Sequence, residues 1–173
     1  MEAPRRPFTA IVGGAKVSDK IAVLNRLAAL VDTLIIGGGM AATFLAAQGY
    51  AVGASKVEND RLDYARNLMA GAKRGAAPSA AKVLVPTDVV VAARFAEEAI
   101  SRTVPVDEIP DGWLVLDIGP ETAAAYAQAV SKSKSVLWNG PMGVFEWEAF
   151  SHGTRRVAQA VADLDGRAAP VIG

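Results

Sequence analysis

The chain has no cysteine, which excludes a disulfide framework and any thiolate nucleophile or thiolate metal ligand, and fits a reducing compartment. A single histidine, His152, excludes a multi-histidine metal centre and reads as a surface residue rather than a base. Charge of one sign is also lacking, because 18 Lys and Arg balance 18 Asp and Glu. No basic field gathers nucleic acid or an anionic membrane surface, so any anionic ligand must be met by locally placed groups. No stretch approaches the roughly 18 consecutive apolar residues needed to span a bilayer, and Met1-Glu2-Ala3-Pro4-Arg5-Arg6 is not followed by an apolar signal core. The expectation is a soluble, cytoplasmic protein with neither nucleic acid nor membrane as partner. What is plentiful is apolar side chain, 51% of 173 residues, enough for one domain with a sizeable core.

Short apolar runs alternate with helical patterns along the chain. Phe8-Thr9-Ala10-Ile11-Val12 reads as a buried strand stopped by Gly13-Gly14. A helix follows, with Ser18 as N-cap and Ile21, Leu24, Ala28 and Val31 on one face. Thr33-Leu34-Ile35-Ile36, a Gly37-Gly38-Gly39 turn and a helix over 40–47 repeat the unit. The pattern continues with a helix near 60–73, strands at 82–85 and 113–117 and a helix from Pro120; a strand at 135–138, a helix over roughly 149–162 and a last strand at 169–172 complete it. Residues 75–80 read as a connector by composition, and 85–111, with three prolines, as an irregular excursion or small hairpin. No internal repeat is present. Alternation of this kind predicts a three-layer α/β/α fold, a mainly parallel, Rossmann-like sheet with helices on both faces and ligands at the carboxyl ends of its strands.

Four strands end in glycine: Val12-Gly13-Gly14, Ile36-Gly37-Gly38-Gly39, Asp117-Ile118-Gly119-Pro120 and Trp138-Asn139-Gly140-Pro141-Met142-Gly143. Glycine lets backbone N–H groups approach a ligand and leaves the next helix N-terminus open to phosphate, though it also serves ordinary helix-to-sheet turns. Lys16 and Lys20, four apart beside the first turn, either bracket a polyphosphate or form a solvated face. Asn139 offers an amide to an oxyanion or simply forms a turn. Glu146 and Glu148 flank Trp147 and are read as ribose acceptors or as helix N-terminal charge. Asp117 is read as a metal ligand or as the cap of the helix beginning near Pro120. Gly37-Gly38-Gly39-Met40-Ala41-Ala42 formally matches a dinucleotide fingerprint, with Glu58 and Asp60 at about the distance of its acidic partner, but that fingerprint normally opens the first β-α unit and here is preceded by another. A Walker-type phosphate loop and a protein-kinase catalytic loop are both missing from the sequence.

Taken in order, Val12-Gly13-Gly14-Ala15-Lys16-Val17-Ser18-Asp19-Lys20-Ile21, Ile35-Ile36-Gly37-Gly38-Gly39-Met40-Ala41, Leu116-Asp117-Ile118-Gly119-Pro120-Glu121 and Leu137-Trp138-Asn139-Gly140-Pro141-Met142-Gly143-Val144-Phe145-Glu146 closely resemble the carboxyl-terminal, nucleotide-binding domain of phosphoglycerate kinase. The likeness runs essentially end to end. It implies phosphoryl transfer between 1,3-bisphosphoglycerate and ADP in glycolysis, with magnesium-bound ADP or ATP as substrate and a monomeric full enzyme. By resemblance Lys16 stabilises the phosphoryl group in flight, and Lys20 holds nucleotide phosphates with the help of Asn139. Gly14, Ala15, Gly38, Gly39 and Leu116 form the adenine slot, while Pro141, Gly143, Val144 and Glu146 line the rest, Glu146 at the ribose. Val115 stands where this family often has glycine in that slot. Two departures are larger. The amino-terminal domain that binds 3-phosphoglycerate is missing from the chain, and the sequence stops at Val171-Ile172-Gly173, before the Gly-Gly-Asp turn that supplies the magnesium ligand. Residues 1–173 are thus expected to form a single nucleotide-binding domain, incomplete at its carboxyl-terminal end, without a metal ligand and inactive alone.

Overall fold

The computed structural model describes residues 4–71, 81–164 and 169–172. Five strands, β1 (Phe8–Val12), β2 (Thr33–Ile36), β3 (Lys82–Leu84), β7 (Ser135–Asn139) and β8 (Ala169–Ile172), form one sheet in the order β3-β2-β1-β7-β8. Every neighbouring pair in it is parallel. Three others, β4 (Asp88–Ala92), β5 (Ser101–Pro105) and β6 (Leu114–Ile118), form a small antiparallel sheet in the order β5-β4-β6. The strand expected at 113–117 therefore leaves the parallel sheet. Parallel pairing needs a crossover of about a dozen residues. Residues 85–87 and 93–100 are too few for such a crossover, so β4 does not continue the parallel sheet beside β3 and β5 folds back on β4, while β6 takes the other edge of β4. The small-hairpin reading of 85–111 holds for β4 and β5.

Alternate residues of the central strand serve opposite faces, as a two-sided buried sheet requires. Phe8, Ala10 and Val12 join Leu34 and Ile36 under the helices α1 (Ile21–Leu30), α2 (Ala41–Ala47) and α3 (Leu62–Met69). Ile11, Ile35 and Val136 pack on the other face against α4 (Pro120–Ser131) and α5 (His152–Ala162). Counted within the main sheet alone, the strand order is 3-2-1-4-5, and the crossover helices change face between β1 and β7. That is the switch point at which doubly wound α/β sheets open a crevice beyond their strand ends.

Several local expectations shift by a few residues. Ser18 does not cap α1. It begins a 3-10 turn, Ser18–Lys20, and α1 starts at Ile21 without a side-chain cap. The helix expected over 60–73 stops at Met69, because Gly71 takes a left-handed φ of 65°. The helix expected from residue 149 begins at His152 after a 3-10 turn over Glu148–Phe150. The connector at 75–80 lies outside the described residues.

One buried phenol ties α4 to the sheet. Tyr126 is 1% exposed, and its hydroxyl donates to the Ile36 carbonyl at 2.7 Å at the end of β2, with the Leu84 carbonyl at 3.4 Å at the end of β3. Tyr126→Phe leaves a buried carbonyl without its donor. It is expected to lower stability by about 1–3 kcal/mol, read as a lower urea midpoint at unchanged slope.

Candidate functional site

Three glycine turns follow β1, β2 and β7 and close on one another by backbone contact. A Cβ added at Gly13 would lie 1.9 Å from the Pro141 carbonyl oxygen, and one at Gly140 would lie 2.5 Å from the Gly13 carbonyl oxygen. At Gly38, whose φ is +71°, it would meet the Gly14 backbone at 2.5 Å. No side chain fits at these points, so the turns sit closer than any other residue allows. Hydrogen bonds hold them in register: Gly13 N–H to the Asn139 carbonyl and Gly38 N–H to the Met142 carbonyl, both 2.9 Å, and Met40 N–H to the Gly14 carbonyl at 2.9 Å. Much of the glycine at the rim therefore serves loop-on-loop packing. Gly39 and Ala15 alone among the adenine-slot candidates are exposed.

Lys20 is half-buried, and its side chain runs back over the first turn, with Cε 3.4 Å from the Cβ position of Gly14. Its ammonium donates to Oδ1 of Asn139. The register that places Val12 beside Asn139 brings these residues, 119 apart in sequence, together at the switch point. Lys16 stands exposed on the same turn and has no acidic partner among the described residues. An exposed cation next to a seated one suits a ligand whose negative charge is spread over several oxygens.

The remaining predicted residues divide. Pro141 and Gly143 lie half-buried in the turn after β7. Val144 donates its N–H to the Leu116 carbonyl at 2.9 Å, which joins that turn to the small sheet and leaves Leu116 a buried packing residue. Glu146 is exposed. Both oxygens of Glu148 accept from Arg155, at 2.7 and 2.8 Å, so this carboxylate is held toward α5. Val115 points away into the cluster of Leu45, Val52 and Val89.

The expectation of open helix N-termini is corrected at three places. Glu58 accepts from the Val17 N–H at 2.5 Å and the Ser18 N–H at 3.3 Å. Asp88 accepts from the Glu121 and Thr122 N–H groups of α4 at 3.1 and 2.7 Å, and from the Thr122 hydroxyl. Asp117 accepts from Gly153 N–H at 2.8 Å, so it caps α5 and not the helix at Pro120. The acid expected as a ribose partner in the dinucleotide pattern, Glu58, is thus engaged with backbone. Sequence reasoning missed Asp88 altogether; its partners lie more than thirty positions away, and no local pattern marks it. With these carboxylates filled by N–H donors, the residues do not fit a magnesium ion, and among the described residues no group of three or more His, Asp or Glu lies together to hold one.

A doubly wound parallel sheet, here with lysines and an asparagine at its switch point, defines the doubly wound α/β class of proteins. Comparison with known proteins makes this specific. The phosphoglycerate kinase family model matches residues 1–173. The phosphoglycerate kinase of Moorella thermoacetica is 58% identical over 94% of the chain and 40% of its own length. The cytosolic enzyme of Nicotiana tabacum is 51% identical over 98% of the chain and 41% of its own length. The solved phosphoglycerate kinase from Coxiella burnetii superposes with a TM-score of 0.91 at 43% identity, covering 99% of this chain and 43% of that one. The chain belongs to the phosphoglycerate kinase family, whose members are kinases, and spans about 40% of the length of the curated relatives it matches. No helix among the described residues is long and apolar enough to cross a membrane.

Asp117 generates a pH prediction. It is 2% exposed, and burial pushes its carboxyl up to about 7 from an ordinary 3.8, against the pull of the Gly153 and Ile118 N–H groups. The folded chain then binds a proton that the unfolded chain has released between those two values, so stability falls as pH rises through this window and levels off above about 7. Urea midpoints are expected to fall between pH 5 and 8 in the wild type and to change less in Asp117→Asn. Parallel slopes for the two proteins would show that another group sets the dependence.

Proposed function

We propose that residues 1–173 are one nucleotide-binding domain and that the crevice between β1 and β7 takes ADP or ATP. Within the whole protein, this nucleotide exchanges a phosphoryl group with 1,3-bisphosphoglycerate or 3-phosphoglycerate. The observation that carries the reading is Lys20, folded back over Gly14 onto Asn139 at the switch point. An ammonium held by a neutral amide oxygen can turn toward a phosphate without breaking an ion pair. Asn139 fixes where that charge stands.

Adenine is placed on the exposed backbone of Gly39 and Ala15, beside Gly14 and Gly38, and the ribose hydroxyls on Glu146. Pro141, Gly143 and Val144 form the wall between. Lys16 is assigned to the phosphoryl group in transit: it is exposed and has no acidic partner among the described residues, so it can follow charge as it moves. Such a transfer needs positioning and charge neutralisation more than covalent chemistry. With three helix ends already closed by carboxylates, the lysines carry that neutralisation in this chain. Magnesium enters as the ion bound to the nucleotide. The cytosolic name of the tobacco relative supports a cytoplasmic setting.

Lys20→Ala is expected to weaken ADP by roughly tenfold at low salt and AMP far less, since AMP has no distal phosphate and a charge-assisted contact contributes about 1.5–3 kcal/mol. Added salt should shrink the difference. Titration calorimetry with both nucleotides measures it. Equal losses for ADP and AMP, or none, would leave Lys20 a structural partner of Asn139 and the nucleotide assignment without support.

A further inference from the structure

Lys16 and Lys20 sit on a short turn whose only fully buried side chain is Val17, at 0% exposure. The backbone that carries the two lysines is anchored at this residue. The carbonyl of Val17 accepts the Lys20 N–H at 2.9 Å, which sets the backbone from which the Lys20 side chain starts. The Val17 N–H, in the same peptide unit as the Lys16 carbonyl, donates to Oε2 of Glu58 at 2.5 Å. The next N–H, that of Ser18, reaches both Glu58 oxygens at 3.3 and 3.4 Å. Burial pushes the Glu58 carboxyl up, but the Ser18 hydroxyl, the Val17 and Ser18 N–H groups and the nearby Arg61 outweigh it and hold the carboxyl below its ordinary value. It is an anion fixed by donors from the lysine turn.

The other end of Glu58 is anchored as firmly. Its own N–H donates at 3.1 Å to Oγ1 of Thr43, which is 1% exposed in α2, the helix that follows the Gly37-Gly38-Gly39 turn. Glu58 therefore links the turn that carries the lysines to the helix that carries the second glycine turn. Resting on the nucleotide reading above, we propose that Glu58 is a positioning residue for the phosphate end of the site: it holds the Lys16-to-Lys20 turn at a set distance from the adenine-side glycines, without touching the ligand. An acidic side chain beside two phosphate-binding lysines would ordinarily weaken an anion site. Here its oxygens are occupied by backbone N–H groups, and its contribution is geometry.

The test compares wild type, Glu58→Ala and Glu58→Gln in two assays. In titration calorimetry, Glu58→Ala is expected to weaken ADP by roughly fivefold, the scale of a lost helix cap, and AMP by less than about twofold. Glu58→Gln, which keeps one oxygen for the Val17 N–H, should recover most of the ADP affinity. In amide exchange without nucleotide, Val17 and Ser18 should exchange at least roughly tenfold faster in Glu58→Ala, with α4 and α5 unchanged. Unchanged exchange at Val17 and Ser18 would overturn the clamp whatever the nucleotide does. Faster exchange with equal losses for ADP and AMP would overturn the positioning role and leave a structural cap. A wild type that does not bind ADP would overturn the nucleotide reading and the positioning role with it, while the exchange data still report on the clamp. If Glu58→Ala does not fold, Thr43→Val removes the other anchor and is read by the same criteria.

Discussion

The rim of this protein depends on backbone meeting backbone. Where the turns after β1, β2 and β7 converge, Gly13 lies against the Pro141 carbonyl and Gly38 against the backbone of Gly14, at separations that leave no room for a Cβ atom. The consequence is mechanical. Three loops from distant parts of the sequence are fixed relative to one another by backbone contact at Gly13, Gly38 and Gly140 and by the buried Met142 side chain against Gly37, and the seating of Lys20 on Asn139 inherits that precision. A rim cushioned by side chains would let the lysine drift by the width of a rotamer.

Electrostatics at the rim follows from a second regularity. Three acids, Glu58, Asp88 and Asp117, close helix or turn N-termini, and in each case donor and acceptor come from separate elements. These bonds consume the positive ends that α/β proteins often present to phosphate. They also tie elements together: Asp88 joins the small antiparallel sheet to α4, and Asp117 joins it to α5. With overall charge balanced at zero, Lys16 and Lys20 are the cations that the first turn sets at the rim.

Much of this was legible in the sequence. Apolar runs stopped by glycine located β1, β2 and β7 within a residue or two, and three of the four strand-end glycine motifs meet at the switch point, while the fourth, at Gly119, ends β6 in the small sheet. What could not be read depended on partners far away in the chain. Nothing near Asp88 announces Thr122, and nothing near Glu58 announces Val17. Asp117 was recognised as a capping residue and assigned to the wrong helix, because the helix next in sequence was not the one that folds against it. The strand at 114–118 went to a different sheet for a related reason. Strand propensity marks a segment as extended but does not say which strand it pairs with.

The position of β1 has a consequence for how the molecule is assembled. Its two neighbours are unequal in cost: Thr9 pairs with Thr33, a short closure bridged by α1, whereas Phe8 pairs with Ser135 across most of the chain. Closing the longer loop carries the larger entropic penalty, and contacts of such span are the ones that slow folding. A chain that has joined only β1 and β2 already owns both lysines, yet it lacks the asparagine on which Lys20 is seated. The cationic half of the rim is thus encoded locally, and its counterpart arrives only with the most distant strand pairing of the sheet.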